Sequence, residues 1–268
     1  MISLLKIVSE AITSPKALIL AGAPGAGKGF ILRGLDLGGL KVLNIDDNFI
    51  KNLKTAGVSL NLKKHDAEAR SQAGKAMAKA TQQMKKEIIP STIANKESFI
   101  LDGTASSSNV TIKLKNELEE AGYDVFMLYV YTDLERSLIQ NQDRFEKSDG
   151  ADRSLAPAIV MKTWNDVTKN YKPYSDLFDQ NNFALVANTL EGEKLDNLED
   201  IVSKYLTPFR PTGTKPKTDK QKARSKLKKA EEAETIKSLL DTEFVNDIVS
   251  NGLSKDEAQA KLKQFLNG

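Results

Sequence analysis

The strongest constraint on this chain is a short glycine loop, Gly22-Ala23-Pro24-Gly25-Ala26-Gly27-Lys28. It follows the apolar run Lys16 to Ala21 and precedes a stretch with helical character. That strand–loop–helix context is what a phosphate-binding loop requires. Backbone N–H groups must point inward at phosphate oxygens, and Cβ atoms at several positions would block the approach. Glycine removes them and permits positive φ. The following helix presents the positive end of its dipole to the same anion. Lys28 adds a full charge for the terminal phosphates. Residues Gly22 to Phe30, including Gly29, are therefore the candidate binding segment for ATP or GTP. An incidental glycine turn is the bland alternative. A dinucleotide site is another, with Asp46 or Asp47 as the ribose acid, but the glycines fall as G-x-x-G-x-G and not G-x-G-x-x-G.

The rest of the first two hundred residues fits an α/β chain. Short apolar runs at Lys16–Ala21, Lys41–Ile45, Ser98–Leu101, Val125–Val130 and Phe183–Val186 read as buried parallel strands. Helical patterns lie between them, over Lys64–Glu87, Asn109–Ala121, from about Asp133, and over Ala158–Tyr171, with a last one ending near Leu206. This alternation predicts a parallel sheet of about five strands flanked by helices, of the P-loop type. Residues 208–217 are rich in proline and glycine and read as a linker. The expected division is a P-loop kinase-like domain over 1–207, the linker over 208–217, and a charged helix with a small helical hairpin over 218–268.

Composition narrows the chemistry. The 268 residues contain no cysteine and one histidine, His65, which excludes disulfides, thiolate metal sites and multi-histidine zinc sites. No apolar stretch approaches the ~20 residues of a membrane span, and the first residues do not form a signal sequence. A cytoplasmic location is expected. The net charge of +3 is uneven, with ten basic against four acidic residues between Arg210 and Lys237. Residues 215–268 could contact nucleic acid weakly, or a protein partner. No aromatic residue interrupts Lys215–Lys237, so base stacking is not expected there.

In open parallel sheets the ligand lies beyond the C-terminal strand ends. Asp46 and Asp47 follow the second strand, and Asp102 ends the third, in Leu101-Asp102-Gly103-Thr104. Phosphoryl transfer needs metal neutralisation and a group that orients or deprotonates the acceptor. Asp47 is the candidate for the acceptor hydroxyl, and Asp102 with Asp46 for Mg2+. Arg136, Arg144 and Arg153 lie in and after the helix behind the fourth strand. Arg144 and Arg153 flank a glycine-containing loop and could close over the transferred phosphate.

The loop wording resembles adenylate-kinase-like enzymes, although Gly29 and Phe30 stand where a magnesium-binding hydroxyl is usual. Together, the P-loop, Ile45-Asp46-Asp47-Asn48-Phe49, Leu101-Asp102-Gly103-Thr104, Arg144 and Arg153 resemble the zeta-toxin-like P-loop kinases over about residues 16–190. Trp164 to Tyr174 is similar to that family's later helix. The resemblance implies a kinase using ATP or GTP with Mg2+ on a hydroxyl of a small molecule or nucleotide, such as the nucleotide sugar UDP-N-acetylglucosamine. It implies Asp47 as catalytic aspartate and Arg144 and Arg153 as phosphate clamps; Lys63 and Arg70 could meet the acceptor. Bacteriophage genomes encode similar P-loop proteins, for which the location is the host cytoplasm. The alternative is a catalytically weak nucleotide-binding assembly protein acting through its basic helical tail.

Overall fold

The computed structural model describes residues 14–33, 35, 37, 40–61, 66–147, 155–189, 218–240 and 243–267. The strands are β1 (Lys16–Ala21), β2 (Lys41–Asn44), β3 (Phe99–Asp102), β4 (Asp124–Tyr131) and β5 (Phe183–Ala187). They form one five-stranded sheet in the order β2-β3-β1-β4-β5, and every pairing is parallel. β1 is central, flanked by β3 and β4, and is buried along its whole length. Two strands fully covered on both faces explain why Ala17–Ala21 and Val125–Tyr131 read as unbroken apolar runs.

The helices are α1 (Lys28–Leu32), α2 (Ile45–Thr55), α3 (Ala67–Gln83), α4 (Ile89–Ala94), α5 (Ser108–Glu120), α6 (Leu134–Lys147), α7 (Pro157–Thr168), α8 (Tyr171–Leu177), α9 (Asp219–Leu240), α10 (Glu243–Ser250) and α11 (Lys255–Asn267). Two boundaries differ from the expected ones in an instructive way. The helix expected to end at Glu87 instead runs on through a π turn, Met84–Ile88, into α4. Pro90 lies at the start of α4. It has no N–H and its ring crowds the carbonyl four residues back, so widening the preceding turn relieves the clash. The expected helix Ala158–Tyr171 is broken at Lys169-Asn170, and α8 sets off anew. Other strand and helix ends differ by one to three residues. Lys63, His65, Arg153, the helix expected near Leu206 and the 208–217 segment lie outside the described residues.

Alternation along the strands sorts the core onto the two sheet faces. On one face Ile19, Phe99, Met127 and Tyr129 pack with Leu118, Trp164, Tyr174, Ile236 and Ile248 of the covering helices. On the other, Leu18, Leu20, Ile100, Phe126 and Leu128 pack with Ile31 of α1 and with Ala258 and Leu262 of α11. The C-terminal helix is therefore a wall of the central core. Leu253 forms a parallel bridge to Val186 just before it, and Gln259 of α11 donates to the carbonyls of Ile31 and Arg33. The sequence of α9 is charged, yet Ala233, Ile236 and Leu239 are buried, and the helix packs on α7. Its earlier residue Leu227 is exposed.

Candidate active site

The glycine loop leaves the C-terminal end of β1 and folds back on its own lysine. Lys28 donates from Nζ to the carbonyls of Gly22 at 2.9 Å and Ala23 at 3.3 Å. Gly27 caps α1 in the left-handed region, at φ 88°, with no side-chain cap. The first N–H groups of the helix are thus left for a ligand. Three neighbours hold the loop in place. Asn188, just after β5, donates to the Ala26 carbonyl at 2.8 Å. Ser137 of α6 donates to the Pro24 carbonyl at 2.5 Å. Gln140, with its amide turned to suit its neighbours, donates to the Gly25 carbonyl at 2.7 Å and accepts from Arg136 Nε at 3.0 Å. A Cβ at Gly27 would come within 2.5 Å of the Asn188 amide, and one at Gly22 within 2.7 Å of the Val130 carbonyl. Those glycines answer close packing as well as phosphate access.

The acids converge on the same point. Asp102 ends β3, and Asp46 and Asp47 open α2. Burial holds the Lys28 ammonium below its ordinary pKa, opposed by the charges of Asp102 and Asp46; Arg144 adds to the depression. Burial pushes the Asp102 carboxyl up, Lys28 and Arg144 oppose that, and Asp46 and Asp47 add to it. Lys28, Asp46, Asp102 and Arg144 therefore share one electrostatic field, and Asp47 reaches Asp102. Asn44 joins the acids mechanically. Its side-chain oxygen caps α2 by accepting from Asp46 N at 2.8 Å, and its Nδ2 donates to Asp102 at 3.0 Å. Sequence reasoning missed Asn44, Asn188, Ser137 and Gln140. Asn44 carried a legible signal as an N-cap residue ahead of an acidic first turn. Asn188 could have been found by asking which polar residue follows each strand end.

The remaining expected residues divide. Arg144 is exposed on α6 within the field of Lys28. Arg136 is turned elsewhere and donates to the Thr189 carbonyl at 2.6 Å. Asn141 clasps Leu155 through its amide, at 3.0 and 3.3 Å, and ties α6 to the approach of α7. Ala23 and Ala26 are buried and Pro24 half-buried. A Cβ at Gly29 would meet nothing within 4 Å. Phe30 is exposed; the Lys255 ammonium lies 4.1 Å from its ring centroid and the Arg33 guanidinium 5.3 Å. That ring therefore contacts the start of α11. Arg70 lies in α3, and Trp164 is a core residue whose indole donates to the Thr132 carbonyl at 2.7 Å.

The loop after Asp102 is built differently from the glycine loop. Gly22 N donates to the Thr104 carbonyl at 3.2 Å. Ala105 adopts φ 50°, the left-handed region, without being glycine. Its carbonyl accepts from Tyr174 Oη at 2.6 Å, and Asn170 donates to the Ser106 carbonyl at 3.0 Å. The break between α7 and α8 is what places both residues over this loop.

A magnesium ion fits this donor set in one way. Among the described residues no group of three or more His, Cys, Asp or Glu could enclose a metal. Mg2+ beside a nucleotide uses one or two carboxylates, the phosphates and water. Asp102 and Asp46 offer two carboxylates whose mutual repulsion a cation would relieve. Among the described residues no helix is long and apolar enough to cross a membrane.

Comparison with solved structures finds distant likenesses. The PezAT toxin–antitoxin system of Streptococcus pneumoniae matches at 15% identity, covering 89% of this chain and 93% of that one, with a TM-score of 0.46. The AvrRxo1-ORF1:AvrRxo1-ORF2 complex with ATP matches at 16% identity over 95% of this chain and 81% of that one, with a TM-score of 0.48. No curated protein matches the chain. The family model described as Zeta toxin matches residues 3–175, a span that includes the glycine loop, Asp46, Asp47, Asp102 and Arg144. It supports a nucleotide-dependent phosphotransferase in general terms. With well over half of its length so matched, the chain belongs to the zeta toxin family.

Proposed function

We propose that the protein transfers the γ-phosphate of ATP or GTP to a hydroxyl group of a small molecule or nucleotide. The observation that carries this reading is the shared electrostatic field of Lys28, Asp46, Asp102 and Arg144 at the mouth of the glycine loop. Binding is the work of the loop N–H groups and Lys28, which leaves its own carbonyl partners when phosphate oxygens replace them. Asp47 accepts the proton of the acceptor hydroxyl. Arg144, with Arg153, closes over the charge that develops on the transferred group. Asp102 and Asp46 would hold Mg2+, whose chemistry is to neutralise the β- and γ-phosphate oxygens. Asn44 fixes both acids relative to α2.

The test is transfer from γ-labelled ATP or GTP to a pool of nucleotide sugars, nucleosides and small alcohols, followed by mass spectrometry. Labelled product is expected with the native protein and not with Lys28→Ala or Asp47→Ala. Nucleotide binding without transfer to any acceptor would sink the enzyme reading.

Gly29 and Phe30 favour a second reading, in which nucleotide binding serves assembly and a partner docks on residues 215–268. The open space at Gly29 means that sterics do not forbid a hydroxyl there. Substituting Gly29→Thr separates the two readings: a kinase is expected to gain rate, whereas an assembly protein gains none.

A further inference from the structure

The helix that follows the glycine loop is too short to hold its own direction. α1 has five residues, Lys28–Leu32, and is roughly 7.5 Å long at 1.5 Å per residue. Fixing the first turn of a helix costs more than the bonds it forms return. A helix of this length therefore takes its course from what packs against it. Its last carbonyls also need partners from elsewhere. The Gly29 carbonyl accepts from Arg33 N and the Leu32 carbonyl from Leu35 N, each at 3.2 Å. The Ile31 and Arg33 carbonyls are satisfied by Gln259 of α11, whose Nε2 donates to them at 2.6 and 3.0 Å.

The same C-terminal segment presses on the other supports of the loop. Ile31 of α1 is buried in the cluster that holds Ala258 and Leu262. The Lys255 ammonium stands 4.1 Å from the ring centroid of Phe30. Leu253 N donates to the Leu185 carbonyl of β5 at 2.7 Å. Gly252 approaches β5 so closely that a Cβ there would come within 2.7 Å of the Ala187 Cβ. The next residue on that strand end, Asn188, is the one that holds the Ala26 carbonyl of the loop. The far end of α11 is anchored as well. Lys16, which opens β1, donates to the Phe265 carbonyl, and the Phe265 ring lies 4.9 Å from that of Phe126. Residues 252–259 thus hold the helix after the loop and the strand end that braces it.

We propose that Gln259 is a positioning residue of the nucleotide site, and that docking of α11 and binding of nucleotide are coupled through α1. This rests on nucleotide binding by the glycine loop, one part of the reading given above, and not on phosphate transfer. Gln259 touches no nucleotide. It holds the carbonyl end of α1, and through that short helix it fixes the course of Gly27 and Lys28 at the other end. Coupling of this kind is reciprocal. A nucleotide on the loop holds α11 in place by the same factor by which docked α11 tightens the nucleotide.

The test is calorimetry of ATP with Mg2+ on the full chain, on Gln259→Met and on Gln259→Lys. Methionine matches glutamine in helix propensity and has no donor. Lysine keeps a donor suited to the carbonyls at a helix end. Gln259→Met is expected to bind ATP at least about fivefold more weakly, the scale of one hydrogen bond. Gln259→Lys is expected to stay within about twofold of the native chain. Circular dichroism confirms that both variants fold. A glutamine that served the fold alone would lower the Tm of Gln259→Met and leave its ATP affinity unchanged.

A second arm follows hydrogen exchange in the native chain with and without saturating ATP. ATP is expected to slow the amides of α11 at least about fivefold more than those of α5, which packs on the other sheet face. This arm decides alone if Gln259→Met does not fold. Native ATP affinity in folded Gln259→Met, a loss in Gln259→Lys as large as in Gln259→Met, or no added protection of α11 would each overturn the proposal and leave nucleotide binding standing. If the native chain bound neither ATP nor GTP, the nucleotide reading would fall and the proposal with it.

Discussion

Two loops leave adjacent strands at the same end of the sheet, and they are held by opposite means. The loop after β1 turns through Gly25 and Gly27, both at positive φ, and its lysine closes on it from within six residues. The loop after β3 reaches positive φ at Ala105, an alanine, and is pinned by Asn170 and Tyr174, more than sixty residues away in sequence. In the first, backbone freedom is supplied by residue type. In the second, tertiary hydrogen bonds hold a conformation that residue type disfavours by about 1–2 kcal/mol. The first loop keeps a bare backbone around Lys28, and the second keeps one fixed course beside Asp102.

The largest effect expected from this contrast belongs to Lys28. Lys28→Ala should lower nucleotide-dependent transfer by about 10²–10³, the scale of losing one preorganised electrostatic partner, as read by labelled-phosphate kinetics. Gly27→Ala comes next. Alanine at φ 88° with its Cβ against Asn188 should cost roughly 1–3 kcal/mol of stability and weaken ATP binding in calorimetry. Tyr174→Phe removes one hydrogen bond to Ala105 and should cost about 1 kcal/mol, which lowers Tm by roughly 2–4 °C in a chain of this size. ATP affinity should stay unchanged in that variant. If Tyr174→Phe weakened nucleotide binding as much as Gly27→Ala, the two loops would be one mechanical unit and the contrast would fail. Ala105→Gly is expected to be the gentlest, because strain relief offsets the added chain entropy to within about 1 kcal/mol. A loss beyond that would show that the Ala105 methyl packs for stability.

The acids sharpen the comparison through pH. Asp102 has its folded pKa raised, chiefly by burial. The folded chain then binds more protons than the unfolded one in the window above the ordinary carboxylate pKa, about 4. Stability of the nucleotide-free protein should fall as pH rises through that window and level off above the raised value. Asp102→Asn removes this contribution, so its Tm should fall less than that of the native protein between about pH 4 and neutrality. An identical pH profile in the two proteins would mean that the Asp102 carboxyl is already compensated.

Much of the architecture was legible because it is written locally. A fully buried strand must be apolar throughout, and five such runs gave five strands within one or two residues. The start of α11 is equally local, since Ser254 and Glu257 exchange hydrogen bonds between their backbone N–H groups and side-chain oxygens. That Asp46, Asp47 and Asp102 gather near Lys28 was readable from the rule that ligands collect beyond parallel strand ends. The π turn was not, because Pro90 inside an apolar helical pattern signals a break more plainly than a widened turn.

Residue type and spacing alone determined the glycine loop, the parallel sheet and the side of the sheet where chemistry collects, since each depends on neighbours within a few positions. Tertiary structure alone decided that Asn188 and Ser137 brace the loop, that Tyr174 fixes Ala105, and that α11 covers the sheet beside Phe126. Those contacts join residues dozens to hundreds of positions apart. A hydrogen bond or a methyl contact at such separation leaves no period, cap or turn signature in the chain, and only the folded geometry selects it.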